Sequence, residues 1–277
     1  MKFVYYFGIL IDNYPNILNE RGASMPNDRR QQILDWLTRH KSASLDELGA
    51  ALHYSRSTIR RDVLELEEMG LVQRGRGRVE LLVTSSKERH HLLRAGERVE
   101  EKRRIAALAA DFVSDGMALF LDASTTVRQV CPLLRPFQHL TVVTNGLETA
   151  QAVTRMPHIG LFFTGGYWRD DTGSFVGEPA VDFVRRLRLD LCLLSCCGMD
   201  GDGLYEASLQ QAYVKQAMIR NAGSTLALCD ASKFGRPFKY RLAGFGEVSY
   251  VLTDAAPPPA LEAAAHRDDC EFLIAGI

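Results

Sequence analysis

Two groups of residues have side chains and spacing suited to holding anions. The first opens the stretch SRSTIRRDVLELEEMG, residues 55–70. Ile59, Val63 and Leu66 recur at helical spacing and form an apolar back. Arg56, Arg60 and Arg61 then share the front with the hydroxyls of Ser55, Ser57 and Thr58. Arginine makes bidentate contacts to guanine, and hydroxyls bond phosphates or bases, so this front suits a nucleic-acid groove. The plainer reading of the arginines alone is a solvated charged face.

The second group is a series of five polar segments, each after an apolar run: DASTT (122–126), TNG (144–146), TGG (164–166), GMDGDG (198–203) and DASKF (230–234). The hydroxyls and N–H groups of Ser124, Thr125 and Thr126 enter a helix, where a phosphate is favoured. Lys233 supplies a cation. Asp122, Thr144, Asn145, Gly165, Gly166, Asp200 and Glu206 complete the candidate set. Singly, such segments are more often plain turns capped by Asx side chains. Five in succession at strand ends are better explained by one pocket.

The elements that must position these residues fall into two domains. Ile33, Leu34 and Leu37 form the stripe of a first helix, about 28–39. Ser44-Leu-Asp-Glu47 is a capping box that opens a second helix through Leu52, with Leu45, Leu48, Ala51 and Leu52 facing inward. Ser55 or Ser57 caps the third helix, which Gly70 ends. LVQRGRGRVELL then alternates around a glycine turn, as a hairpin does, and carries Arg74, Arg76 and Arg78. Three helices and a hairpin make an α+β winged helix-turn-helix over residues 25–82, whose third helix enters the major groove of operator DNA. Ten basic and nine acidic residues in that span make the binding face polarised rather than the domain basic.

Residues 83–98 read as a polar connection. Beyond them, 99–277 alternate apolar runs with helical stripes: MALFLD, LTVVT, IGLFFT, DLCLLSCC, TLALCD and YVLTD are strand candidates. Continuous apolar strands between helices predict an α/β Rossmann-like domain with a mostly parallel sheet covered on both faces. Ligands bind such sheets at the carboxyl ends of their strands, where the five segments lie. No dinucleotide or Walker motif occurs, so NAD and ATP are poor candidates.

Composition bounds the function. The chain has 277 residues, 46% apolar, and a net charge of −1, so any nucleic-acid site is local. Six cysteines without a C-x-x-C pair read as buried thiols of a reducing, cytoplasmic compartment, with no disulfide frame, metal site or cofactor. Residues 1–24 differ from the rest. Phe3–Ile11 is too short to span a bilayer, no signal-peptide cleavage site follows it, and no membrane is expected. The segment reads as an extension, either disordered or from a mis-assigned start, with Met25 as the alternative start.

SRSTIRRDVLELEEMG resembles the recognition helix of the DeoR family of bacterial transcription regulators, matching at Ser55, Thr58, Ile59, Arg60, Arg61, Asp62, Leu66, Glu67 and Gly70. The family's wing usually reads HGGA where this chain has GRGR, residues 75–78. The strand-end motifs extend the resemblance to about residue 254. Ser124 replaces a family glycine, and Gln211 stands where many members have Glu. DASTT followed by SCCGMD is most similar to the L-fucose operon activator branch. The resemblance implies a ribose-5-phosphate-isomerase-like sensor domain that binds a phosphorylated sugar, with Asp122, Asn145, Asp200 and Glu206 on its hydroxyls. It implies a non-enzymatic repressor of a carbohydrate catabolic operon, assembled as a homodimer or homotetramer. A ligand-dependent activator is the alternative, and a phosphosugar isomerase fused to a DNA-binding domain a further one.

Overall fold

A computed structural model describes residues 26–75, 77–82 and 91–276, with residues 26–28 described in backbone only. Arg76, the 1–24 extension and the first half of the 83–98 connection therefore lie outside the described residues. The chain divides into two units at Leu81–Leu82.

In the first unit, α1 (Pro26–His40), α2 (Leu45–Leu52) and α3 (Arg56–Glu68) surround Ile33, Leu34, Leu37, Leu48, Ile59, Val63 and Leu66, all fully buried. Leu45, Ala51 and Leu52, expected inside, are only half-buried. Ser44 and Glu47 form the reciprocal capping box of α2. Ser55, not Ser57, caps α3, its Oγ accepting from the Thr58 N–H at 3.2 Å. Gly70, at φ +67°, turns the chain out of α3. The hairpin of β2 (Val72–Gly75) and β3 (Arg78–Leu81) is present, and β1 (Ser42–Ser44) adds a third strand against β3, with Ala43 opposite Val79. Its Ser-Ala-Ser sequence is too short and polar to announce a strand.

Asp62 is 1% exposed, and Arg29 of α1 meets both its oxygens at 2.9 and 3.0 Å. The bidentate pair fastens the groove-facing helix to α1.

The second unit is built on one seven-stranded parallel sheet. Its strands are β4 (Ala118–Leu121), β5 (Thr141–Thr144), β6 (Gly160–Phe163), β9 (Leu189–Leu194), β12 (Ala222–Leu228), β14 (Tyr250–Thr253) and β15 (Glu271–Ile274), in the order β15-β14-β12-β9-β4-β5-β6. Alternation along each strand splits the core. Leu119, Leu121, Leu193 and Leu228 face α5 (Val99–Ala110) and a 3-10 helix at Val127–Leu134. Phe120, Cys192, Leu194 and Ala227 face α7 (Glu178–Arg185), α8 (Leu209–Arg220) and α9 (Pro259–Arg267). The strand pairs at both central positions bury apolar side chains on each face, as a doubly covered sheet requires.

Antiparallel pieces sit on this frame. β7 (Tyr167–Arg169) pairs with β8 (Ser174–Val176), and β10 (Gly198–Asp200), β11 (Gly203–Glu206) and β13 (Tyr240–Ala243) make a separate three-stranded sheet. GMDGDG is therefore the β10–β11 hairpin rather than the end of the fourth strand. α4 (His91–Gly96), read from sequence as part of the connection, packs on this unit with His91, Leu92 and Ala95 buried. α6 (Leu147–Val153) follows β5. No described helix is long and apolar enough to cross a membrane.

Replacing Asp62 with Ala removes the two hydrogen bonds that its carboxylate accepts from the mostly buried Arg29 guanidinium. We expect the first unit to lose about 2–4 kcal/mol of stability, read as an earlier urea transition, with the second unit's transition unmoved.

Candidate functional site

The groove-facing side of α3 is built as its sequence suggested. Ser55, at the cap, hydrogen-bonds the Ser57 and Thr58 hydroxyls at 2.9 and 2.8 Å, so the three form one polar cluster. Arg60 and Arg61 are exposed, and among the described residues neither has a carboxylate partner. Arg56 meets Asp46 at 3.3 Å on the exposed surface, a weak and screened contact. The wing differs. Arg74 is tied to Glu67 at 2.6 Å, and Arg78 to Ser42 and Glu47. Both wing arginines brace their own fold before they meet any ligand.

In the second unit, a cavity opens at the carboxyl ends of β4, β9 and β12. Ser124, Thr125 and Thr126 form one wall, directly after β4. The Ser124 N–H donates to Asp122 Oδ1 at 2.8 Å, and its Oγ accepts from the Val127 N–H at 3.2 Å. Ser124 thus folds the loop into the 3-10 helix. Thr125 and Thr126 take no part in those bonds and line the cavity. The opposite wall comes from Arg94 of α4 and from Arg98 and Lys102, at and inside the start of α5. Lys233 and Asp230 enter from the loop after β12, with Arg98 Nε 3.6 Å from Asp230 Oδ1.

Under this rim lies a buried ion cluster. Lys215 Nζ, from α8, is 2.9 Å from Asp122 Oδ2, 2.5 Å from Glu206 Oε1 and 2.7 Å from the Ser195 carbonyl oxygen. The Ser195 N–H donates to Asp122 Oδ2 at 3.0 Å, and the Cys197 thiol to Glu206 Oε2 at 3.1 Å. Burial works against the ammonium. Asp122 and Glu206 overcome it and hold the Lys215 pKa well above the ordinary lysine value. Lys102 is the converse. It is 4% exposed, donates to the Arg94 carbonyl, and burial outweighs Asp230 to bring its pKa down to about 8. Five cationic side chains line the cavity against three carboxylates. Such a lining favours an anion.

The candidates separate accordingly. Ser124, Thr125, Thr126, Glu206 and Lys233 line the cavity, and Asp122 holds its floor. Thr144, Asn145, Gly165, Gly166 and Asp200 do not line it. The Asn145 amide donates to the Phe175 carbonyl at 3.0 Å, and Thr144 Oγ1 accepts from the Gly146 N–H. These residues pin the β7–β8 hairpin to the end of β5. Gly166 has φ +114°, and a Cβ there would stand 2.5 Å from the Val176 oxygen, so this glycine serves the chain's path. Asp200 accepts the Asp202 N–H at 2.9 Å and closes the β10–β11 turn. Arg94, Arg98, Lys102, Ser195 and Lys215 were not among the sequence candidates. Lysine on a helix usually reads as solvated, yet Lys102 shares a stripe with buried Ile105, Ala106 and Ala109, and Lys215 one with Gln211 and Met218. Among the described residues, no three His, Cys, Asp or Glu side chains are placed to hold a metal ion.

A helix-turn-helix unit followed by a Rossmann-like unit with a cation-lined pocket defines a ligand-responsive transcription regulator. The DeoR-like helix-turn-helix domain matches residues 29–85, and the DeoR C terminal sensor domain matches residues 97–255. The chain is 33% identical over 231 residues to the glycerol-3-phosphate regulon repressor of Escherichia coli, covering 83% of this chain and 91% of that one. It is 30% identical to the transcriptional repressor GlcR of Bacillus subtilis, over 89% and 95% of the two chains. It is 29% identical to the transcriptional repressor CsqR of E. coli, over 90% and 95%. The chain belongs to the DeoR family of transcription regulators. A D-ribose-5-phosphate isomerase structure overlaps it at a TM-score of 0.38 and 14% identity, over 49% of this chain and 54% of that one.

Lys215→Met removes the ammonium that pairs with both Asp122 and Glu206 at their buried contact. We expect a loss of about 3–5 kcal/mol in the second unit at neutral pH, measured by chemical denaturation. A loss below about 1 kcal/mol would show that the two carboxylates are solvated or protonated instead.

Proposed function

We propose that this regulator represses a carbohydrate catabolic operon and senses a phosphorylated sugar in the cavity at the ends of β4, β9 and β12. The observation that carries the reading is the cavity lining: five cations against three carboxylates, together with Ser124, Thr125 and Thr126. A dianionic phosphate is stabilised there by charge-assisted hydrogen bonds. Ser124 through Thr126, Lys102 and Lys233 hold the phosphate, and Glu206, Asp230 and Ser195 offer acceptors and donors to sugar hydroxyls. Repressor relatives, one of them of a glycerol-3-phosphate regulon, support both halves of the reading.

The protein acts as a sensor and not as an enzyme. Asp122 and Glu206, the carboxylates nearest the cavity floor, are both engaged by Lys215, and a base committed to an ion pair abstracts protons poorly. Incubating the tightest-binding sugar phosphate with the protein leaves it unchanged under this reading, and turnover to an isomer contradicts it. The protein works in the cytoplasm as a homo-oligomer, because helix-turn-helix proteins read paired half-sites.

On the DNA side, Ser55, Arg56, Ser57, Thr58, Arg60 and Arg61 contact the operator, with Arg74, Arg76 and Arg78 on the wing. Arg60→Ala with Arg61→Ala is expected to abolish operator binding at moderate salt and to leave the thermal unfolding of the protein unchanged. Residual binding should show a shallower salt slope, by roughly one unit for each phosphate contact removed. Full operator affinity in this variant would remove α3 from the interface.

On the ligand side, Thr125→Ala with Thr126→Ala should weaken a sugar phosphate by about a hundredfold in calorimetry, and the unphosphorylated sugar should bind the wild type no better than that. The pH dependence follows from Lys102. Its lowered value of about 8 means that in the free protein this charge is half lost near that pH and largely lost above it. The anion binds the charged form, so affinity is greatest below about pH 8 and falls as pH rises through it. Unaltered affinity in the double variant would place the phosphate elsewhere.

A further inference from the structure

Cys196 and Cys229 stand with their sulfur atoms 3.4 Å apart. The sheet sets this distance. β9 and β12 are parallel neighbours with Leu194 opposite Ala227, and two residues further along each chain brings Cys196 opposite Cys229. A step of two keeps a side chain on the same face, and all four residues belong to one core cluster. Adjacent strands run about 4.8 Å apart, inside the roughly 4.4–6.8 Å Cα separation that a disulfide spans. Just past the ends of these two strands, the sulfur atoms are already placed for a bond between them.

The pair is also reachable. Cys196 lines the cavity at 5% exposure, with Cys229 directly behind it. The Ser195 hydroxyl lies 3.8 Å from the Cys229 sulfur. The hydrogen bond between the two sulfurs couples them: it and burial push the Cys196 thiol well above its ordinary value, while the same bond, with Ser195 and Lys233, pulls the Cys229 thiol below it. Cys229 is thus the member of the pair biased toward the thiolate, the form that oxidises. Among the described residues no other two cysteine sulfurs lie this close.

We propose that Cys196 and Cys229 form a peroxide-oxidisable dithiol whose closure to a disulfide lowers the affinity of the cavity for its effector. One thiolate of the pair attacks the O–O bond of a peroxide, forming a sulfenic acid and expelling hydroxide. The second sulfur displaces the hydroxyl group, which leaves as water with the remaining thiol proton. Two thiols are oxidised to one disulfide, and one peroxide is reduced to two waters. The second half of the proposal rests on reading the cavity as the effector site; the first half does not.

The consequence follows from what each cysteine adjoins. Cys229 precedes Asp230, which faces Arg98 and whose carbonyl accepts the Lys233 N–H. Cys196 follows Ser195, whose backbone holds Lys215 and Asp122. Shortening the sulfur separation to about 2.05 Å draws these two cavity-lining loops together and shifts Lys233 relative to the Thr125–Thr126 wall.

The full chain is reduced, treated with hydrogen peroxide, alkylated and mapped by peptide mass without reductant. The expected product links the Cys196 and Cys229 peptides and is reversed by dithiothreitol. It is absent from Cys196→Ser and from Cys229→Ser and retained in Cys197→Ser, with circular dichroism checking each fold. Calorimetry of the linked protein with the tightest-binding sugar phosphate should show at least tenfold weaker binding, restored on reduction, while Cys196→Ser is indifferent to peroxide. No linked peptide, or a link that survives Cys196→Ser, overturns the dithiol. A linked protein with unchanged affinity overturns its effect on the effector. Failure of the reduced protein to bind any sugar phosphate overturns the cavity reading and with it the second half, whereas the linked peptides are judged without a ligand.

Discussion

One buried ammonium organises the sensor unit. Lys215 reaches from α8 to carboxylates that arrive on separate segments, Asp122 after β4 and Glu206 at the end of β11. Either carboxylate, buried and unpaired, would cost several kcal/mol. The cluster therefore fixes three elements together, and the cavity rests on them. Asp122 also receives the Ser124 and Ser195 amides, so the same carboxylate that neutralises Lys215 sets the start of the Ser124–Thr126 loop. The charge is spent below the rim, which leaves Arg94, Arg98, Lys102 and Lys233 to shape the field above it.

The floor and the rim of the cavity differ. Its floor carboxylates are ion-paired and hydrogen-bonded, hence held in place. Its rim cations are less settled. Lys102, buried beside Arg94 and Lys233, has its charge disfavoured until an anion arrives. Arg98 holds a left-handed backbone at φ +50° where α5 begins, a conformation that costs a non-glycine residue about 1 kcal/mol or more and is kept where the surroundings require it. Under the proposed function, a bound phosphate would therefore act on the α4–α5 wall more than on the sheet. A ligand can shift only an equilibrium between states that it distinguishes, and this wall holds the groups whose state an anion changes.

Much of the frame was legible in the residues. The α3 stripe of Ile59, Val63 and Leu66 and the Ser44–Glu47 box specify local structure by short-range physics, and both formed as read. The six apolar runs became strands because nothing but a doubly covered sheet buries them on both faces. The Ser124–Thr126 loop could be found because it joins a strand end to a helix start. What escaped depends on tertiary placement. Lys215 and Lys102 look like solvent-facing lysines until their helices are docked. Thr144, Asn145 and Asp200 carry ligand-like side chains, yet their hydrogen bonds close turns and hold hairpins. β1 and the β10–β11–β13 sheet are too short for their periodicity to be seen. Arg74 and Arg78 read as wing cations, and only the fold shows that Glu67 and Glu47 already engage them.

The central claim is that the phosphate of an effector sits between the Thr125–Thr126 loop and the Lys102–Lys233 side of the cavity, above the Lys215 cluster. A crystal structure of the protein with its tightest-binding sugar phosphate tests this most directly. The account requires the phosphate oxygens within hydrogen-bond distance of the Thr125 or Thr126 amides and of at least one of those two lysines, with Asp122 and Glu206 still on Lys215. A phosphate bound outside this cavity, or a ligand that breaks the Lys215 cluster to reach Asp122, would contradict it.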